Sequence, residues 1–132
     1  MVTVSSHPVT VKTPDVERII DAATSLGYEA IFDPYKPPPV VRWFRGRNFR
    51  PDVLVKNDNR EVVVVAMSGL VTFALVNFIH LERKREDTGA LICVSDDAFP
   101  HLPKSTWDSA DELNVRLCPL SEVRDALKEL LD

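Results

Sequence analysis

A chain of 132 residues is long enough for one hydrophobic core and too short to divide comfortably into two. With 45% hydrophobic and 27% charged residues it has the composition of a folded globular domain, which excludes wholesale disorder. The 16 Lys and Arg against 20 Asp and Glu leave a net charge of −4. The chain as a whole therefore does not draw in a polyanion, and any nucleic-acid contact must come from a local basic patch.

Residues 1–12 are polar and β-prone, with Val2, Val4, Val9 and Val11, and read as a flexible or strand-forming arm. Thr13-Pro14-Asp15 supplies a capping hydroxyl, a proline for the first helical position and an acid for the first turn. Val16, Ile19, Ile20, Ala23 and Leu26 follow at helical spacing until Gly27 stops them, so an amphipathic helix is predicted. Residues 28–32 read as a strand ended by Asp33-Pro34. Lys36-Pro37-Pro38-Pro39, short of amide donors, reads as a stiff connector. Residues 40–44 read as another strand. A β-hairpin then follows, in which Val53-Leu54-Val55 and the run from Val62 to Met67 flank the polar turn Lys56-Asn57-Asp58-Asn59.

Beyond Ser68-Gly69, a strongly apolar segment predicts a helix reaching about residue 85, with Ser68 as its cap and Arg83-Lys84-Arg85 complementing the helix dipole. Its apolar residues cover more than one face, which predicts burial on two sides or a shared interface. Residues 90–94 read as a buried strand and 95–106 as a loop. A short helix at 107–113, a strand at 115–118 and a final helix capped by Ser121 complete the chain. Alternating helices and strands without an internal repeat predict a single domain, residues 1–132, with a mixed sheet between helices. Cys93 and Cys118 sit in apolar stretches and read as reduced core residues. The apolar stretch at 70–81 is well short of the roughly 20 residues a membrane span needs. With no basic-then-apolar leader pattern, a cytoplasmic protein without membrane contact is expected.

Pro51-Asp52 at the start of the hairpin, together with the order of elements over residues 13–95, resembles the core of the PD-(D/E)xK nuclease superfamily. In that family a first helix precedes a three-stranded meander, and a second helix crosses over to a parallel fourth strand. The resemblance implies an α/β fold, a restriction endonuclease-like mixed central sheet flanked by helices. It also implies an acid, one residue and then a lysine on the second hairpin strand, where this chain reads Val64-Val65-Ala66-Met67. By the route this resemblance implies, phosphodiester hydrolysis needs oxygen ligands for a hard cation and a lysine to help the attacking water or stabilise charge on the phosphate, and valine and methionine supply neither. The implied function is a catalytically inactive nuclease-like domain, a pseudoenzyme that binds or assembles, with no cofactor expected.

Two alternatives stay open: a Mg²⁺-dependent nuclease with a rearranged site, and a protein–protein interaction domain unrelated to nucleases. For the first, a turn centred on Asn57-Asp58 sets Asp52 across from Val63 and Glu61 across from Leu54. Glu61 is then a diagonal neighbour of Asp52 at about 7–8 Å. Asp52 as metal ligand, Glu61, and Glu17 from the first helix are the candidate catalytic residues.

Arg42-Trp43-Phe44-Arg45-Gly46-Arg47-Asn48-Phe49-Arg50 interleaves arginines with aromatics. Guanidinium groups grip phosphates and aromatic rings stack on unpaired bases, so Arg42, Trp43, Arg45, Arg47 and Arg50 are the candidate nucleic-acid contacts. The competing reading is an edge hairpin with its aromatics in the core and its arginines in solvent. His7, His80, His101 and the two cysteines lack metal-ligand spacing. Ser68 lacks the glycine two residues earlier that a nucleophile elbow carries. Asp96-Asp97 stands where open sheets place ligand sites. If Leu75, Phe78 and Leu81 emerge from the sheet's cover, a homodimer or protein partner would bury them.

Overall fold

The structure, a computed structural model, describes residues 13–32, 43–44, 47–48, 53–67, 69, 71–82 and 88–132. The N-terminal arm, the proline connector, Pro51-Asp52 and Arg83-Lys84-Arg85 lie outside the described residues.

The first helix, α1 (Pro14–Ser25), forms as its sequence predicts. The Thr13 hydroxyl accepts from the Val16 amide at 3.3 Å, and Gly27 takes a φ of 82° just past the end, a conformation glycine adopts without strain. Strand β1 (Glu29–Phe32) pairs antiparallel not with the next segment in sequence but with β4 (Val53–Asn57). Between them, β2 (Trp43–Phe44) and β3 (Arg47–Asn48) form a two-stranded antiparallel ribbon of their own. The strand predicted at 40–44 therefore adds nothing to the main sheet among the described residues. That sheet continues from β4 to its hairpin partner β5 (Arg60–Met67), then to β6 (Gly89–Val94) and β7 (Val115–Pro119), in the order β1-β4-β5-β6-β7. The first three strands run antiparallel, each to its neighbour, and β6 and β7 run parallel to β5. The fold is thus mixed α/β, with an open five-stranded sheet between helices.

The valine run of β5 follows from its central place. Val62 and Val64 point to one face, Val63 and Val65 to the other, and all four are buried, so a strand covered on both sides reads as continuous rather than alternating hydrophobicity. On the first face, α1 and α4 (Val123–Leu131) bring Val16, Ile19, Ala23, Val123, Ala126, Leu127 and Leu131 against Val53, Val55, Val62, Val64, Leu91, Cys93 and Cys118. On the second, α2 (Phe73–Glu82) and α3 (Lys104–Leu113) cover Leu54, Val63, Val65, Ala90, Ile92, Val94, Val115 and Leu117. Each such aliphatic side chain removed from water contributes about 1.5–3 kcal/mol before entropy is counted.

Three expectations change. Helix α2 begins at Phe73 rather than beside Ser68, with the Thr72 carbonyl accepting from Leu75 and Val76. Of its described side chains, Leu75, Val76 and Ile79 are buried, Ala74 and His80 half-buried, and Phe73 and Asn77 exposed, so Leu75 belongs to the core and not to an uncovered face. The side chains of Phe78 and Leu81 lie outside the described ones. The segment predicted as loop from 95 to 106 instead contains a 3-10 turn (Phe99–His101) and the start of α3. Its prolines open these elements, Pro100 inside the first turn and Pro103 at the cap of α3, where a missing amide is harmless.

Candidate functional site

The parallel strands β5, β6 and β7 end at Met67, Val94 and Pro119, and the register brings Met67 opposite Val94 and Val94 opposite Pro119. The open mouth of the β4–β5 hairpin lies toward this same end, because Val53 at the start of β4 pairs with Val64. Carboxyl ends of parallel strands are where open sheets leave a crevice for ligands. Arg18 of α1 is close enough to Asp96, just past β6, to favour its ionised form.

At the mouth the hairpin presents no metal ligand on β5. Val64 and Val65 are sealed into the two cores, and Ala66 and Met67 pack against them. The register corrects the expected place of Glu61. The turn is centred on Asp58-Asn59, not Asn57-Asp58, so Glu61 pairs with Lys56 rather than Leu54. Asp58 takes a φ of 54° as the first residue of this two-residue turn, which lies one residue further along the chain than expected. Glu61 consequently sits at the turn end of the hairpin. It is three residue steps from the Val53–Val64 pair, about 10 Å at strand rise, and within 4.0 Å of the Lys56 ammonium.

Glu17 occupies the opposite side of the sheet. It is exposed on α1, which packs on the face of Val62 and Val64, whereas Glu61 alternates onto the face of Val63 and Val65. The structure therefore separates Glu17 from Glu61 by face and Glu61 from the hairpin mouth by length. Asp52, the third of the candidate acids, lies outside the described residues. Among the described residues no group of three or more His, Cys, Asp or Glu side chains could hold a metal ion.

Asp96, flagged by its position after β6, has a defined task. Its carboxylate accepts from the Ser121 amide at 3.1 Å, at the 3-10 turn (Leu120–Glu122) that leads into α4. Hydrogen bonds from Ser121 lead the causes that hold this carboxyl below its ordinary value, with Arg18 adding attraction. The Ser121 hydroxyl, whose position in the sequence predicts a cap on the last helix, does not cap α4. Its amide instead donates to the Asp96 carboxylate from the loop after the neighbouring strand, so the protein's own anion fills the helix-start position that a bound anion would take. The opposite end of α4 is tied as well. Tyr28 donates to the Asp132 carboxylate, Asn57 donates to the Leu131 carbonyl at 2.8 Å, and Arg60 donates to the Asp132 carbonyl at 2.6 Å.

Of the arginine-aromatic segment, Trp43 and Arg47 belong to the β2–β3 ribbon, whose register pairs Trp43 with Asn48 and Phe44 with Arg47. Arg42, Arg45 and Arg50 lie outside the described residues. The sequence reading missed an aromatic surface on the other face: Phe73 is 53% exposed at the start of α2 and Trp107 37% exposed on α3, with Trp107 edge-on to Phe99 at 5.4 Å between ring centroids. Its sequence signal is weak, since an aromatic at a helix start scores as part of the apolar run behind it. None of the described helices is long and apolar enough to cross a membrane.

No family model matches the chain, and no curated protein matches it. Among solved structures, protein VC1899 from Vibrio cholerae is similar, with a TM-score of 0.50 and 14% sequence identity over 89% of this chain and 33% of that one. The chain thus spans about a third of the length of that protein. At this identity the likeness is one of fold, and it agrees with the mixed α/β architecture traced above.

Proposed function

We propose that this chain is a restriction endonuclease-like domain of the PD-(D/E)xK type whose hydrolytic site has eroded and which acts by binding nucleic acid. Support for the kinship comes from the order of elements: a first helix, an antiparallel β1-β4-β5 meander, a crossover through α2, and β6 parallel to β5. The observation that carries the loss of hydrolysis is the hairpin mouth, where Val53 pairs with Val64 and the next residues of β5 are Val65, Ala66 and Met67. Mg²⁺ at such a site has no ligand from β5, and the acid of that strand, Glu61, stands at the far end beside Lys56.

The element proposed to bind is the β2–β3 ribbon with its flanking arginines, which stands apart from the main sheet. Arg42, Trp43, Arg45, Arg47 and Arg50 follow one another closely in the sequence around this ribbon, and guanidinium groups with an aromatic ring can supply phosphate contacts and stacking independent of the chain's net negative charge. The test is incubation of labelled single- and double-stranded DNA and RNA with Mg²⁺ or Mn²⁺, scoring cleavage and bound complex in the same samples. Binding without cleavage is expected, indifferent to chelator and to Asp52→Ala, weakened by salt and by Arg45→Ala with Arg47→Ala. Cleavage that disappears in Asp52→Ala would overturn the reading and restore a rearranged metal site.

A second reading, assembly with another copy or a protein partner, draws on exposed Phe73 and Trp107. A dimer in light scattering that dissociates on Phe73→Ser would favour it.

A further inference from the structure

We propose that Cys93 and Cys118 are a dithiol that closes to a disulfide on meeting a small-molecule disulfide, stapling β7 to β6. The two residues face each other directly in the parallel register of these neighbouring strands. Adjacent strands lie about 4.8 Å apart, inside the range of about 4.4–6.8 Å between Cα atoms that a disulfide spans. The sulfurs are already in contact at 3.8 Å, with the Cys118 thiol directed at Cys93, and both side chains point to the α1/α4 face. Rotation about the side-chain bonds has to bring the sulfurs to about 2.05 Å, and neither strand has to change register.

Both cysteines are buried, at 1% and 2% exposure, and the topology supplies the route in. Among the described residues, strand β7 is the edge of the sheet and has a neighbour on one side. Its pairing with β6 finishes one residue beyond the cysteines, at Val94 opposite Pro119. Local opening of such a short edge strand exposes Cys118 without unfolding the core.

The exchange balances without metal or enzyme. The Cys118 sulfur, having given up its proton, attacks a reagent disulfide; a bond forms between Cys118 and one half of the reagent, and the other half leaves as a thiol. The Cys93 sulfur, also deprotonated, then attacks Cys118, forming the Cys93–Cys118 bond and expelling the second half as a thiol. The protein loses two hydrogens and two electrons, and the reagent gains them as two thiols. The bond would lie beneath the Asp96–Ser121 hydrogen bond, which joins the loops that follow the same two strands. Oxidation therefore adds a covalent tie to an end of the sheet that the reduced form holds by hydrogen bonds, and reduction removes it.

The experiment equilibrates the folded chain in glutathione buffers from reducing to oxidising, quenches with acid, alkylates in denaturant and weighs the protein. The expected result is one transition to a monomer lacking two hydrogens, with both cysteines closed to alkylation and a linked Cys93–Cys118 peptide after digestion. Amide exchange across 115–119 slows in the oxidised form. Alkylation of both thiols at every poise would overturn the proposal. So would a glutathione adduct on one cysteine, or a bond between two chains, as the end product. The wild-type titration carries the test even if a core substitution fails to fold. In Cys118→Ser and Cys93→Ser that do fold, the two-hydrogen loss must vanish.

Discussion

The two faces of the sheet are covered by helix pairs of similar size but closed in different ways. On the α1/α4 face, polar ties stand at both ends of the last helix: Asp96 on the Ser121 amide at one end, Tyr28, Asn57 and Arg60 on Leu131 and Asp132 at the other. Arg124 adds a bond to the Ser25 hydroxyl, joining α4 to α1. On the α2/α3 face, a tie among the described residues is internal. The buried Thr106 hydroxyl donates to the Val71 carbonyl at 2.7 Å, just before α2. That face ends in exposed Phe73 and Trp107. Among the described residues, one face is laced to itself at its rim, and the other is fastened from within and leaves Phe73 and Trp107 exposed.

The largest effects test whether the two cores are independent. Leu127→Ala on the first face and Leu75→Ala on the second each empty a fully buried site and should each cost about 2–5 kcal/mol in denaturant unfolding. With a sheet between them, the double variant should lose the sum of the two to within about 0.5 kcal/mol. A clear departure from additivity would mean that the sheet transmits strain and that the two faces behave as one core.

Next in size is the inner fastening. Thr106→Val keeps the shape and removes the donor, leaving the Val71 carbonyl without that bond in an apolar setting, so a loss of about 1–3 kcal/mol is expected. Tyr28→Phe tests the rim of the other face and should cost about 1 kcal/mol, since Asp132 stays accessible to water. The Tyr28 hydroxyl is raised above 10.0, first by its bond to Asp132, then by burial and by that carboxylate's charge. Its contribution is whole below pH 10.0 and is lost as pH rises through the higher folded value, so wild type and Tyr28→Phe should converge in stability at strongly alkaline pH.

Asp96 behaves in the opposite sense. Its folded carboxyl is held below 3.8, chiefly by hydrogen bonds from Ser121. Its contribution is therefore whole above pH 3.8 and is lost as pH falls through the lower folded value. Asp96→Asn should flatten the acid limb of the stability profile, an effect smaller than that of Tyr28→Phe because Asp96 is exposed. An unchanged acid limb would show that this rim bond contributes nothing measurable.

These contrasts indicate what the sequence makes legible. The Thr13 cap, the Gly27 stop and the doubly buried valines of β5 are local patterns, and each appears where the sequence places it. The register was not local in that sense. A positive φ at Asp58, unusual for a residue with a side chain, moves the turn by one position and carries Glu61 from Leu54 to Lys56. Nor could spacing reveal that Asp96 would serve Ser121, or that Cys93 would meet Cys118. Those meetings depend on how β6 and β7 align, which the crossover through α3 decides. The candidate acids illustrate the same limit: a pair near in sequence, such as Asp52 and Glu61, is joined or separated by one turn residue.

The smallest expected effect bears on the open rim. Phe73 is the first residue of α2 and keeps more than half of its surface in water, so Phe73→Ser removes little buried area and no described hydrogen bond from its side chain. Stability should shift by no more than about 0.5 kcal/mol, as for ordinary surface substitutions. What should change is association, read as a lower average mass in light scattering at high protein concentration, because an exposed ring is a loss to the folded monomer that a neighbour relieves. A drop of more than about 1 kcal/mol would contradict this and make Phe73 part of the α2/α3 closure. That face would then be sealed by aromatic packing as the other is by polar ties, and the difference between the two faces would be one of chemistry rather than of openness.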